Sequence, residues 1–169
     1  MTVWTTIDSP LGELLLVGEE SATARGGTAL VSLSMPGQKS GAVVRDGWAR
    51  DDGAFADIAA QLNSYFEGGL TDFAVEYAGG AGTDFQRRVW KAVESVPYGT
   101  TVSYGEIASR IGASRAAVRA VGTAIGANPV LVVRPCHRVI GAGGALAGYA
   151  AGLERKRRLL DLEDARPSG

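Results

Sequence analysis

The run Gly79-Gly80-Ala81-Gly82 constrains this chain more than any other stretch, because three glycines in four residues cannot sustain a helix or a strand. Directly after it, Thr83-Asp84-Phe85-Gln86 has the T-x-x-Q form of a capping box, which starts a helix. The 169 residues are therefore expected to form two small domains, 1–80 and 83–169. Charge divides at the same place. Residues 1–83 carry 4 Lys/Arg against 11 Asp/Glu and residues 84–140 carry 8 against 3, although the whole chain nets only -1. An acidic front and a basic rear suit a scaffold followed by a phosphate-binding domain, unless two solvated surfaces merely differ by accident.

In the front part, Val3–Ile7 and Glu13–Val17 flank Ser9-Pro10-Leu11-Gly12, the pattern of a hairpin. Ala29–Met35 alternates as a third strand, and Phe73, Val75 and Tyr77 suggest a further one. Between them Phe55, Ile58, Leu62 and Phe66 recur at helical spacing until Gly68-Gly69, while residues 36–52 read as a surface loop. The acidic residues here scatter without pairing, so this part is a scaffold.

The rear part is predicted mostly helical. Phe85, Val89, Val93 and Val96 form the apolar stripe of a first helix that Pro97-Tyr98-Gly99 ends. Ser103-Tyr104-Gly105-Glu106 is a second capping box, opening a short helix that stops at Gly112. Ser114 is then expected to cap another helix, and two short helices across a glycine turn describe a helix-turn-helix. On its second helix Val118, Val121 and Ile125 mark the buried side, whereas Arg115, Arg119, Gly122 and Gly126 share another face. Glycine costs about 1 kcal/mol per helical position. Either a nucleic-acid backbone approaches this face or a neighbouring helix packs tightly on it.

The only cysteine and the only histidine of the chain are adjacent, in Arg134-Pro135-Cys136-His137-Arg138-Val139-Ile140. Val130–Val133, just ahead, reads as a buried strand, and Gly141-Ala142-Gly143-Gly144 follows. A thiol attacks as thiolate, so its pKa of ~8.5 would have to fall by about 1.5 for the anion to dominate at neutral pH. A histidine held by a carboxylate can supply that, provided the chain turns at Cys136 or a water bridges the two side chains. An inert buried cysteine beside a core histidine is the alternative. In the last predicted helix, 153–165, Leu153, Leu159 and Leu160 define an apolar arc that also holds Lys156 and Glu163. A carboxylate on a buried arc needs a partner, and either Lys156 or His137 can provide one.

Pro135-Cys136-His137-Arg138-Val139-Ile140 resembles the active-site signature of the O6-alkylguanine-DNA alkyltransferases, or methylated-DNA-protein-cysteine methyltransferases. Thr83–Trp90 is similar to that family's opening catalytic-domain helix, and Gly148-Tyr149-Ala150-Ala151-Gly152 is similar to its G-Y-S-G-G base-pocket wall. The resemblance implies an α/β (α+β) ribonuclease-H-like N-terminal domain followed by a mostly helical C-terminal domain with a helix-turn-helix. It implies that Cys136, with His137 and Glu163, takes an alkyl group irreversibly from O6-alkylguanine, or from O4-alkylthymine, in double-stranded DNA, without cofactor or metal. DNA would be held through its minor groove by Tyr104, Ser114, Arg115, Ala117, Arg119 and Gly122, Arg119 filling the stack that a flipped base vacates and Tyr104 helping to turn the nucleotide. Asn128, Pro135, Arg138, Val139, Tyr149, Ala150 and Lys156 would form and brace the base pocket. Ala150 and Ala151 depart from the family's serine and glycine, which bears on alkyl-group size.

Residues 1–8 show no basic-then-apolar leader and no run approaches membrane-spanning length, so a cytoplasmic protein without a membrane partner is expected, acting as a monomer or cooperatively on DNA. Three other readings compete: a non-catalytic damage-recognition module, against which Cys136 speaks; a transcription regulator, for which the Ala/Gly-rich helix offers few base-reading side chains; and a Cys-His-Glu hydrolase.

Overall fold

The structure, a computed structural model, describes residues 1–167 and separates into two compact units, Met1–Ala81 and Gly82–Gly169. In the first unit β1 (Thr2–Ser9) and β2 (Gly12–Glu20) form the hairpin, β3 (Thr28–Ser34) pairs antiparallel with β2, and β4 (Ala49–Arg50) pairs parallel with β1. The sheet order is β3-β2-β1-β4. At Val17/Gly18 the register shifts, and a Cβ on Gly18 would lie 2.6 Å from Thr28 Cγ2 and 2.8 Å from the Ala29 carbonyl, so only glycine fits. Helix α1 (Ala56–Phe66) covers the core with Ile58 and Leu62. Tyr65, rather than Phe66, is its last fully buried residue, which continues the three-and-four spacing from Phe55.

The strand expected around Phe73–Tyr77 reduces to a single parallel bridge from Tyr77 to Leu30. Its backbone is satisfied otherwise: the Gln61 side chain accepts from Ala74 N at 2.7 Å and donates to Ala74 O at 3.1 Å. A ladder partner is thereby replaced by one amide. The expected 36–52 loop holds as a loop except for the two residues of β4.

The second unit opens with α2 (Asp84–Glu94), where both hydrogen bonds of the Thr83/Gln86 capping box are present. Val89 and Val93 are buried along it, as is Trp90, whose indole N–H donates to the Ala124 carbonyl at 2.8 Å. Full burial of each such apolar side chain contributes roughly 1.5–3 kcal/mol. Next come β5 (Thr100–Ser103) and α3 (Tyr104–Arg110), the latter with a complete Ser103/Glu106 capping box. Gly112, at φ +72°, reverses the chain towards α4 (Val118–Gly126). Strand β6 (Val139–Ile140), helix α5 (Leu153–Leu162) and strand β7 (Arg166–Pro167) complete the unit, β6 and β7 pairing parallel with β5 on either side.

Three expectations are corrected here. Ser114 makes no side-chain cap; a single 3-10 turn, Arg115–Ala117, intervenes before α4, and Ser114 closes it with its backbone carbonyl. Val130–Val133 is no strand but a buried turn, in which Val133 N donates to Leu131 O at 2.7 Å around Val132 at φ +68°. A bond from residue i+2 to residue i around a positive φ is a strained turn for a β-branched residue, and four buried apolar side chains hold it. Leu153, finally, is 46% exposed, because only Lys156, Leu159 and Glu163 of the predicted arc face inward.

Candidate active site and nucleic-acid interface

Cys136, His137 and Arg138 form one 3-10 turn, entered from Pro135 and left through β6. That turn supplies the bend which a nucleophile and base in consecutive positions require, since on a regular strand they would face opposite ways. All three side chains are buried.

Glu163, 3% exposed at the end of α5, is the hub behind the turn. Its Oε2 lies 2.7 Å from His137 Nε2, while Arg138 Nε donates to Oε1 at 2.8 Å and Arg138 Nη2 to Oε2 at 3.1 Å. The remaining Arg138 Nη1 donates to the Val96 carbonyl at 2.7 Å. Burial alone would raise the Glu163 carboxyl, but the hydrogen bonds from His137 and Arg138, with the Arg138 charge, outweigh it and hold the group down at about 2. Glu163 is thus a carboxylate and can only accept, so His137 Nε2 carries the proton. Burial, opposed by Glu163, lowers the His137 pKa and keeps the ring neutral. Its Nδ1 then bears a lone pair, and this buried atom meets no hydrogen-bond partner among the described residues.

Cys136, 2% exposed, lines a cleft of about 270 Å³ together with Leu131, Tyr104, Gly148, Tyr149, Ala150 and the Gly122, Ile125 and Gly126 face of α4. The volume is just below the range of drug-sized ligand pockets, ~300–1,000 Å³. The depressed thiol pKa expected from the sequence is contradicted: burial pushes Cys136 up to about 12, against the lowering effects of Arg134, the Asn128 amide and Lys156. At rest the group is a neutral thiol. Tyr149 OH is buried without a hydrogen bond of ordinary geometry to any described residue, and burial raises its pKa.

The braces are explicit. Asn128 Oδ1 accepts from Val130 N at 3.0 Å, and its Nδ2 donates to the carbonyls of Val130 and Arg134 at 3.1 and 3.4 Å, tying the strained turn to the start of the Cys136 turn. Lys156 Nζ donates to the carbonyls of Val139, Ala147 and Gly148 at 2.6, 2.7 and 3.1 Å. Lys156 therefore clamps the pocket wall and is not the partner of Glu163. Burial lowers its pKa to about 8, which leaves it charged at neutral pH. Tyr104 OH donates to Ala147 O at 3.4 Å on the same wall.

Arg115 and Arg119 are exposed outside the cleft, with Ser114 also exposed and Ala117 half-buried beside them. Gly122 belongs to both places, because it shares the Arg119 face and lines the cleft. A Cβ at Gly126 would meet nothing within 4 Å and one at Gly122 would reach only ordinary contact with the Tyr104 ring at 3.8 Å. Tight packing inside the protein does not require these two glycines. Sequence reasoning had missed the bidentate grip of Arg138 on Glu163, the lining by Leu131, Ile125 and Gly126, and Arg134. A cation directly following the Cys-His pair was the available signal for the first.

A helix-turn-helix joined to a buried thiol that lines a cleft describes a class of DNA-binding protein with a cysteine-lined pocket. The chain belongs to the 6-O-methylguanine DNA methyltransferase family: the family's DNA binding domain matches residues 84–165 and its ribonuclease-like domain residues 2–77. The methylated-DNA–protein-cysteine methyltransferase of Mycobacterium tuberculosis is 52% identical over 166 residues, covering 98% of this chain and 94% of its own. That of Methanosarcina acetivorans is 46% identical over 156 residues, covering 92% and 94%. Among solved structures, Mycobacterium tuberculosis OGT in complex with DNA is similar with a TM-score of 0.85 and 51% identity, over 96% of this chain and 92% of that one.

Proposed function

We propose that the chain repairs alkylated DNA by direct reversal, moving the alkyl group of O6-alkylguanine, or of O4-alkylthymine, onto Cys136 in a single irreversible event. The observation that carries this reading is the His137 Nδ1 with no hydrogen-bond partner among the described residues, on the same turn as a thiol that lines a cleft of about 270 Å³, with Glu163 holding the opposite ring nitrogen. The Cys136 proton passes through a water to Nδ1, and Glu163 stabilises the imidazolium so formed. The sulfur attacks the alkyl carbon, the S–C bond forms as the O6–C bond breaks, and the electron pair left on the purine takes up a proton to give guanine. No cofactor enters this balance.

An alkyl carbon within the base stack is out of reach of a buried sulfur, so the base must be extruded, at a cost of a few kcal/mol that is lowest for a damaged pair. Exposed Arg115 and Arg119 on the glycine face of α4 suit docking in the minor groove, with Ser114 and Ala117 at the turn and Arg119 filling the gap in the stack. Tyr104 and Tyr149 flank the base, Tyr104 guiding the nucleotide in, while Ala150 lines the pocket. Asn128, Pro135, Arg138, Val139 and Lys156 keep the turn and the wall in place. The protein acts as a monomer on DNA in the cytoplasm, and residues 1–80 serve as scaffold to a working domain of 83–169. The test is to incubate the protein with duplex DNA containing O6-methylguanine and weigh it. One methyl mass on the Cys136 peptide, with none on Cys136→Ala, is expected; an unchanged mass refutes the reading.

A further inference from the structure

Arg134 has no part in the mechanism above, yet it is 7% exposed two residues before the nucleophile. Its Nε donates to Glu94 Oε2 on α2 at 2.9 Å, its Nη1 donates to Asn128 Oδ1 at 3.2 Å, and its guanidinium lies 4.9 Å over the Trp90 ring. Its own carbonyl accepts from Cys136 N at 2.8 Å. Glu94 is a third exposed, so the pair is lopsided, with the cation inside and the anion towards water. We propose that Arg134 is a positioning residue for alkyl transfer, a buried cation whose charge favours the anionic form of the Cys136 sulfur and whose strength Glu94 sets.

Other groups face that sulfur. Lys156 on α5 adds a second cation, the Asn128 amide donates, Tyr104 on α3 and Tyr149 in the wall face it as neutral phenols, and His137 follows it on the turn. Of the charges acting on Cys136, Arg134 has the largest lowering effect and Glu94 opposes it. The two therefore form an adjustable couple on a thiol that burial otherwise keeps protonated. Arg134 is tied to the Cys136 turn through its own carbonyl and through Asn128, and a neighbouring opposite charge favours ionisation by about tenfold.

The proposal rests on Cys136 being the alkyl acceptor, and its test reads the sulfur without DNA. As Cys136 is the only cysteine, its rate of alkylation by iodoacetamide, followed by mass across neutral pH, reports its thiolate fraction. Arg134→Met should slow that reaction roughly tenfold, Arg134→Lys should restore most of it, and Glu94→Gln should accelerate it severalfold. Transfer from O6-methylguanine DNA should follow the same order, whereas a merely loosened site would gain iodoacetamide reactivity and lose transfer. Equal rates in all four proteins, or Arg134→Met and Glu94→Gln moving together, overturn the proposal. The expected iodoacetamide order with no methyl transfer by the wild type would instead overturn the functional reading, and with it the role in alkyl transfer, while the control of the Cys136 sulfur by Arg134 and Glu94 would stand.

Discussion

Replacing Glu163 by Gln removes one charge from a buried cluster and tests the site from both its structural and chemical sides. In the folded protein the carboxyl sits at about 2 against 4.5 for a free glutamate, and at 1.36 kcal/mol per pKa unit this difference corresponds to about 3 kcal/mol. The figure agrees with the roughly 3–5 kcal/mol lost when one partner of a buried ion pair is removed, and here Arg138 would remain as the uncompensated charge. Because the folded pKa is depressed, this stability is fully present above about pH 4.5 and disappears as pH falls towards 2. Urea unfolding of Glu163→Gln should therefore show a loss of about 3 kcal/mol at pH 7 and a flatter acid limb than the wild type. The amide can still accept from His137 Nε2 but cannot balance an imidazolium, so methyl transfer should slow by ~10²–10⁴, the range of general-base contributions. Quench-flow transfer rates and denaturant titrations at several pH values measure both effects. An acid limb identical to the wild type's, or an unchanged transfer rate, refutes the reasoning.

Lys156→Met leaves the buried carbonyl of Val139 and the part-buried carbonyls of Ala147 and Gly148 without their donor, at about 1–3 kcal/mol for the buried one and less for the other two, so it should destabilise the protein by about 2 kcal/mol and slow reaction even with free O6-benzylguanine. Equal stability by thermal melting would show that the wall does not depend on the clamp. Arg119→Ala should slow transfer from duplex DNA at least tenfold while leaving reaction with the free base within twofold; equal slowing would remove the stack-filling role. The logarithm of DNA affinity should fall linearly with the logarithm of salt, with a slope of about -0.9 per phosphate contacted. A fluorescence-anisotropy titration with no salt dependence would place the arginine face of α4 away from DNA.

The capping boxes at Thr83 and Ser103 were legible because a cap is a bond between residues three apart, which sequence spacing alone specifies. The hairpin and α1 were legible for a similar reason, as apolar periodicity matched to a turn or a stop leaves few alternatives. Val130–Val133 misled because a short apolar run records burial but not backbone conformation, and here contacts made by Asn128 hold a residue at positive φ. The segment 73–77 misled because a distant glutamine took over the backbone groups of Ala74, so that pairing with Leu30 begins only at Glu76.

Read alone, the sequence determined the two-part division, the helix-turn-helix, the adjacency of the cysteine and the histidine, and the need of Glu163 for a buried partner. The tertiary structure decided which partner. Three donors converge on Glu163 from a turn 25 and 26 residues away, whereas Lys156, on the same helix face, is claimed by three carbonyls. It also decided the state of the thiol, since an ionisation equilibrium depends on how much water and charge surround the sulfur. Local bonding and periodicity are written along the chain, but desolvation and charge pairing sum over neighbours that only folding brings together.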